Sequence, residues 1–301
     1  MRNTILLVTA VALSFTLHHS VAAQGDSFGS SAAATAPQAQ PPSKPAGVGA
    51  PTAGVELPPA TDIFKRSVEA IGGEAAVRRH TAMRMKGGLS ATGMKTPGTL
   101  EILMLAPNKF LTTIELPGMG PMKQGFDGNI GWTKNSMMGT QLLEGKTLAE
   151  LRRSSDFYKD LDPSKMWTTA TTSGIVDFGG MPCYEVAVTG DLGEGSLFYG
   201  VSDGLNRGMR LTIDSPMGKI PATTRMVEYK EFDGLKVASK TEIEAMGAVQ
   251  TMTVDSIDFA PLNESLFDLP ADVQALVKNG GAKTTGTTPP PAAPVPPPTK
   301  P

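Results

Sequence analysis

The sequence has little of what builds the commonest catalytic and metal centres. It contains one cysteine, Cys183, and three histidines, of which His18 and His19 stand side by side near the N-terminus. A single cysteine excludes an intramolecular disulfide framework. With His80 the only imidazole in the body of the chain, any metal site needing two ligands of either kind is excluded too. No cofactor is expected. Aromatic residues make up 6% of the chain, and 27 Lys+Arg against 29 Asp+Glu leave a formal net charge of −2, which gives no electrostatic case for nucleic acid. There is no Gly-x-Ser-x-Gly elbow, no His-Glu-x-x-His and no Walker loop. Glu101 and Glu115, and likewise Glu242 and Glu244, alternate with apolar neighbours as solvated strand faces do. That pattern does not fit the carboxylate pair of a glycosidase. His80, beside Arg78 and Arg79, reads as a surface residue. An enzyme is not expected.

What is present divides the chain into four parts. Arg2, an uncharged apolar run from Ile5 to Leu17, and the small residues Val21-Ala22-Ala23 before Gln24 predict a secretory signal over residues 1–23, with export to the periplasm. The run is shorter than the roughly 20 residues of a membrane-spanning helix. Residues 24–60 are rich in Ala, Gly, Ser and Pro, and residues 279–301 end in a Pro-rich tail. Neither can bury enough surface to offset the entropy of ordering, and both are expected to be disordered spacers. Between them, 61–278 is long enough for one domain with a substantial core.

Within that segment, Thr61 to Ile71 has helical spacing and ends at Gly72-Gly73. A second helix is predicted over Leu148–Asp160, with Thr147-x-x-Glu150 as its capping box and Leu148, Leu151 and Tyr158 on one face. Most of the remainder alternates with period two. Met83 and Met85 share a strand face, as do Leu100, Ile102 and Met104, and Phe110 with Ile114. Leu211 pairs in this way with Ile213, Thr224 with Met226, and Thr241 with Ile243. Turn signals such as Pro107-Asn108, Asp127-Gly128 and Asp233-Gly234 separate the strands, and about ten antiparallel strands joined by hairpins follow. Two helices cannot cover so wide a sheet lying flat. The expected architecture is a curved, unclosed antiparallel β-barrel with two or three helices against its concave face, enclosing an apolar hollow.

Several segments, taken in order, resemble one family. Ala-Pro-Asn-Lys-Phe (106–110), Gln-Gly-Phe-Asp-Gly-Asn-Ile-Gly-Trp (124–132), Phe-Asp-Gly-Leu-Lys-Val (232–237) and Pro-Leu-Asn-Glu-Ser-Leu-Phe-Asp-Leu-Pro (261–270) are similar to exported bacterial proteins of the LolA/LolB-like superfamily. Ala-Ile-Gly-Gly-Glu-Ala-Ala (70–76) fits the same group. The resemblance implies an unclosed barrel with helices as a lid over an apolar cavity, and the carriage of acylated proteins without covalent chemistry. The expected partners are therefore lipid or acylated protein, with other envelope proteins as candidates, and the expected state is a monomer. The candidate lining comprises the apolar strand residues Met83, Met85, Leu100, Ile102, Met104, Phe110, Ile114, Leu211, Ile213, Met226 and Ile243, together with Phe126, Trp132, Leu148, Leu151 and Tyr158. The alternative is an envelope scaffold or sensor that contacts protein or polymer without a lipid. Met119, Met137 and Met138 fall in turns, where they would either line nothing or form an exposed mouth.

Overall fold

The computed structural model describes residues 56–280, except residue 192 and residues 216–217. The signal segment, nearly all of the linker and the Pro-rich tail lie outside the described residues. Two helices come first, α1 (Ala60–Ala70) and α2 (Gly73–Arg78). Six strands follow: β1 (Ala82–Ala91), β2 (Gly98–Leu105), β3 (Lys109–Leu116), β4 (Gly120–Phe126), β5 (Gly131–Asn135) and β6 (Gly139–Leu142). A crossover over residues 143–168 carries α3 (Gly145–Ser154) and two 3-10 turns. Seven more strands complete the sheet: β7 (Thr169–Asp177), β8 (Pro182–Gly190), β9 (Gly193–Gly200), β10 (Asn206–Ser215), β11 (Gly218–Phe232), β12 (Leu235–Ala245) and β13 (Ala248–Asp258). A 3-10 turn at Glu264–Phe267 and α4 (Ala271–Lys278) end the described chain.

All thirteen strands form one antiparallel sheet in the order β6-β5-β4-β3-β2-β1-β13-β12-β11-β10-β9-β8-β7, curved and not closed. Every neighbour pair but one is consecutive in sequence. The exception, β1 against β13, joins the two meanders at the middle. The period-two pattern is read directly into faces. In β3, Phe110, Thr112 and Ile114 are buried toward the inner face, while Leu111 and Thr113 point the other way.

The inner face is covered by α1, α2 and the crossover from the β6 edge to the β7 edge. The first predicted helix agrees with α1 to one residue, and its end is set by Gly72, whose φ of 126° no side-chain-bearing residue adopts easily. The second prediction needs correction. The helix α3 starts at Gly145 after Glu144 and has no side-chain cap, so the Thr147–Glu150 capping box does not form. It also stops at Ser154, because Phe157 N–H donates across to Pro107 O (2.8 Å) and the Asp156 carboxylate accepts Tyr158 N–H (2.9 Å). These bonds turn the chain out of the helix and down onto the sheet.

The C-terminal residues pack on the outer face, an arrangement not expected from the sequence. The Lys109 ammonium meets the Glu264 carboxylate at 2.5 Å, and Asp272 accepts from Lys134 (2.6 Å) and the Thr140 hydroxyl (2.5 Å). Residues 264–278 thereby form a strap over β3 to β6, with Phe267 and Val273 buried beneath it.

Candidate functional site: the inner face and its lid

Most of the candidate lining residues converge. Met83, Met85, Leu100, Ile102, Met104, Phe110, Ile114, Phe126 and Leu151 belong to one buried apolar cluster, with Leu148 and Tyr158 packed at its margin. The strand register explains this grouping: Met83 pairs with Met104, Met104 with Phe110, and Phe110 with Phe126, a continuous row across four strands. Leu211 belongs to a second cluster further along the sheet, with Ile63 and Phe64 of α1 and with Trp167 of the crossover. Met226 packs apart, with Ala238 and Tyr229. Ile243 is buried between Thr224 and Gln250 in the register. Ile213 pairs with Ile220 through the backbone, and its side chain lies outside those described.

Trp132 is not part of this lining. It pairs with Gly125, one register position away from the inward pair Phe126 and Gly131, and so faces outward. A Cβ at Gly125 would stand 2.5 Å from the indole, so only glycine leaves room for the ring. The strap residues Leu266, Phe267 and Pro270 complete its surroundings, enclosing a pocket of about 150 Å³.

Among the described residues, side chains of the crossover pack into the space expected to be hollow. Phe157 and Tyr158, with Leu161 and Trp167 beyond the predicted helix, supply the bulk. The inner-face cavity lined by Val77, His80, Met83, Met104, Phe157, Leu235 and Phe259 measures about 10 Å³, room for about one water and not for an acyl chain.

The α3 part of the covering segment is lightly fastened. Only Leu151 of α3 is fully buried, and its side chain, with that of Leu148, rests on the bare backbone of Gly131. Further attachments are Leu143 N–H to Gly131 O (2.8 Å), the Tyr158 hydroxyl to His80 O (3.1 Å), an Arg153–Asp191 ion pair (2.5 Å), and Arg78 lying over the Tyr158 ring. Lys159 is buried in the same segment, and desolvation lowers its pKa, opposed by the charges of Asp160 and Asp156. Enclosing an ammonium costs free energy in the closed state. Within the segment, α3 is the part with the least buried apolar surface, and the aromatic residues that follow it carry most of the packing.

His80 is 6% exposed rather than at the surface. Its ring stacks on Phe259 at 3.9 Å, and its Nε2 faces Asp233 at 3.5 Å without a hydrogen bond. Burial lowers its pKa, and the Asp233 carboxylate partly opposes that. Cys183 lies on the outer side with Phe178 and Phe198, and burial pushes its thiol pKa up, which disfavours a nucleophilic thiolate. Of Glu101, Glu115, Glu242 and Glu244, three are engaged in ion pairs at the surface, Glu101 with Arg84, Glu242 with Lys240 and Glu244 with Arg225.

The arrangement is thus a curved sheet whose apolar inner face is covered by α1, α2 and the crossover segment 143–168. No protein-family model matches the chain, and no curated protein matches its sequence. Solved structures share its fold. A LolA superfamily protein from Nitrosomonas europaea is similar to it over 71% of this chain and 99% of that one, at 12% identity and a TM-score of 0.51. A DUF1329 family protein from Desulfovibrio piger is similar over 70% of this chain and 98% of that one, at 10% identity and a TM-score of 0.53. The chain thus shares the fold of these two structures. At these identities the likeness is one of fold.

Proposed function

We propose that the protein is a non-catalytic carrier or binding protein of the cell envelope, which takes acyl chains of lipids or acylated proteins between its inner face and the segment 143–168. The segment acts as a lid that the guest displaces. One observation carries this: beneath a cover of which α3 contributes a single fully buried side chain, the inner face presents six buried methionines, Met83, Met85, Met104, Met122, Met209 and Met252. Methionine is unbranched and polarizable, and it repacks around varied apolar partners at small cost.

The magnitudes are compatible with such a role. Each acyl methylene transferred from water contributes about 0.8 kcal/mol, so a chain of a dozen carbons gains roughly 10 kcal/mol before costs. That exceeds the few kcal/mol expected for opening a local unit of the fold. Export, as the N-terminal apolar run suggests, would place the protein where acylated proteins need passage through water.

The test is native mass spectrometry of the protein taken gently from its own envelope, with titration of the purified chain by a fluorescent fatty acid. Co-purifying lipid that the fatty acid displaces supports the assignment. Empty protein that takes up no fatty acid contradicts it and favours a scaffold that contacts protein alone.

A further inference from the structure

Most of the methionines outside the core gather at one end of the sheet, with Met181 at the other. In an antiparallel meander alternate turns fall at the same end of the sheet, so the β5–β6, β3–β4, β1–β2 and β12–β13 turns are neighbours along one end. Each carries methionine: Met137 and Met138, Met119, Met94, and Met246 respectively. Met217 belongs to the next connection, β10–β11, and lies outside the described residues. Met137, Met138 and Met246 are 67%, 44% and 59% exposed, high values for apolar side chains. The only charge in these four turns, residues 92–97, 117–119, 136–138 and 246–247, is Lys95. Further along, Asp191 of the β8–β9 turn is paired with Arg153. The turns at the opposite end carry Asp127, Asp203 and Asp233 instead. The two ends of the sheet therefore differ in chemistry, one tipped mainly by methionine with little charge, the other by aspartates of which Asp203 and Asp233 are paired with Arg207 and Arg79.

Successive tips stand two strand spacings apart, about 10 Å, so four of them span roughly 30 Å. A packed protein interface needs a contiguous apolar core, which separate tips do not offer. The boundary between lipid headgroups and acyl chains can fill the gaps between them. Several backbone donors of these turns are satisfied from within, which suits them to that medium. Asn135 Oδ1 accepts from Met137 N–H (3.0 Å) and Met138 N–H (2.6 Å), Met94 N–H donates to Ala91 O (2.9 Å), and Met119 N–H to Leu116 O (3.1 Å). Thr92 and Val249 exchange hydrogen bonds of 2.9 and 3.0 Å, which lock the Met94 and Met246 turns together.

We propose that this methionine-tipped end is a membrane-docking edge, which inserts Met137, Met138 and Met246 into the headgroup–acyl boundary of a lipid bilayer. It stands independently of whether the inner face carries acyl chains.

The experiment attaches an environment-sensitive fluorophore to the full chain at Met137→Cys, at Met246→Cys, or at Met181→Cys on the opposite end, the native Cys183 being buried. Vesicles of phosphatidylethanolamine and phosphatidylglycerol are then added. A blue shift at 137 and 246 without one at 181 is expected, and comparing sites within one chain separates the edge from any binding by the Ile5–Leu17 run. The triple variant M137S/M138S/M246S, altered only at exposed positions, should keep its unfolding midpoint and bind vesicles at least about tenfold more weakly. No shift at 137 and 246, an equal shift at 181, or undiminished binding by the triple variant would each overturn the proposal.

Discussion

Substitution of Gly131 by alanine should loosen the lid while leaving the sheet in place. The new methyl group would come within 2.8 Å of Leu148 Cδ1 and 3.0 Å of Leu151 Cδ2, the two contacts that seat α3. Gly131 does not have a positive φ, so alanine brings no backbone strain, and the atoms it meets are the far ends of leucine side chains. The cost therefore falls in the lower part of the overpacking range, about 1–2 kcal/mol. It is borne by the closed state alone, because an open lid has no leucines over Gly131. That difference raises the open population roughly 5- to 30-fold. A guest that binds only the open state gains apparent affinity by the same factor. Titration with a fluorescent fatty acid, alongside thermal unfolding, reads both effects. A fall in stability with no gain in affinity would show that the methyl strains the whole fold and that the seat of α3 does not gate access.

Other consequences can be measured with the same chain. Leu151→Ala removes the one fully buried side chain of α3 and should destabilise the closed lid by about 2–4 kcal/mol, seen as faster amide exchange over 145–154 than over β1 or β13. Hydrogen bonds from Lys134 and Thr140 hold the Asp272 carboxylate at a pKa of about 2, below its unfolded value. The anchoring of α4 is therefore complete above about pH 4 and lost as pH falls through 2. Trp132 emission, read in a Trp167→Phe background, should shift red over that window, and at neutral pH in Asp272→Asn. Burial lowers the pKa of His80, so the unfolded chain takes up its proton first. Stability should fall as pH drops through about 6.5 and level off below the lowered folded value. Unfolding midpoints between about pH 7 and 5.5 should flatten in His80→Gln; an unchanged slope would assign the dependence to other groups.

The fold was legible where one physical signal dominated. In β2 and β3 the recurrence of Leu100, Ile102 and Met104, and of Phe110 and Ile114, at every second position reflects one inner face, and short Gly- and Asp-containing turns leave antiparallel pairing as the connection. The first helix was legible because Gly72-Gly73 ends it. Long-range contacts were not visible in this way. His80 is buried through a stack on Phe259, far away in sequence, and nothing local to Arg78-Arg79-His80 announces it. Trp132 and Phe126 flank one turn and yet face opposite ways, because a one-residue change of register reverses a side chain. The Thr147–Glu150 motif had the right spacing for a cap, but the chain entered the helix earlier. The hollow was inferred from too little helix; aromatic side chains on irregular backbone, Phe157 and Trp167 among them, fill the space instead. The outer strap is not legible in the sequence, because 261–270 reads as loop and only its partners Lys109, Lys134 and Thr140 reveal where it lies.

The most direct measurement is amide hydrogen exchange of the purified chain with and without a saturating fatty acid. If the guest enters beneath the lid, residues 145–161 lose protection in the complex while β1, β2 and β13 keep theirs. A bound fatty acid that leaves the exchange of 145–161 unchanged, or increases its protection with the inner strands undisturbed, would place the guest elsewhere and end the account of a displaceable lid.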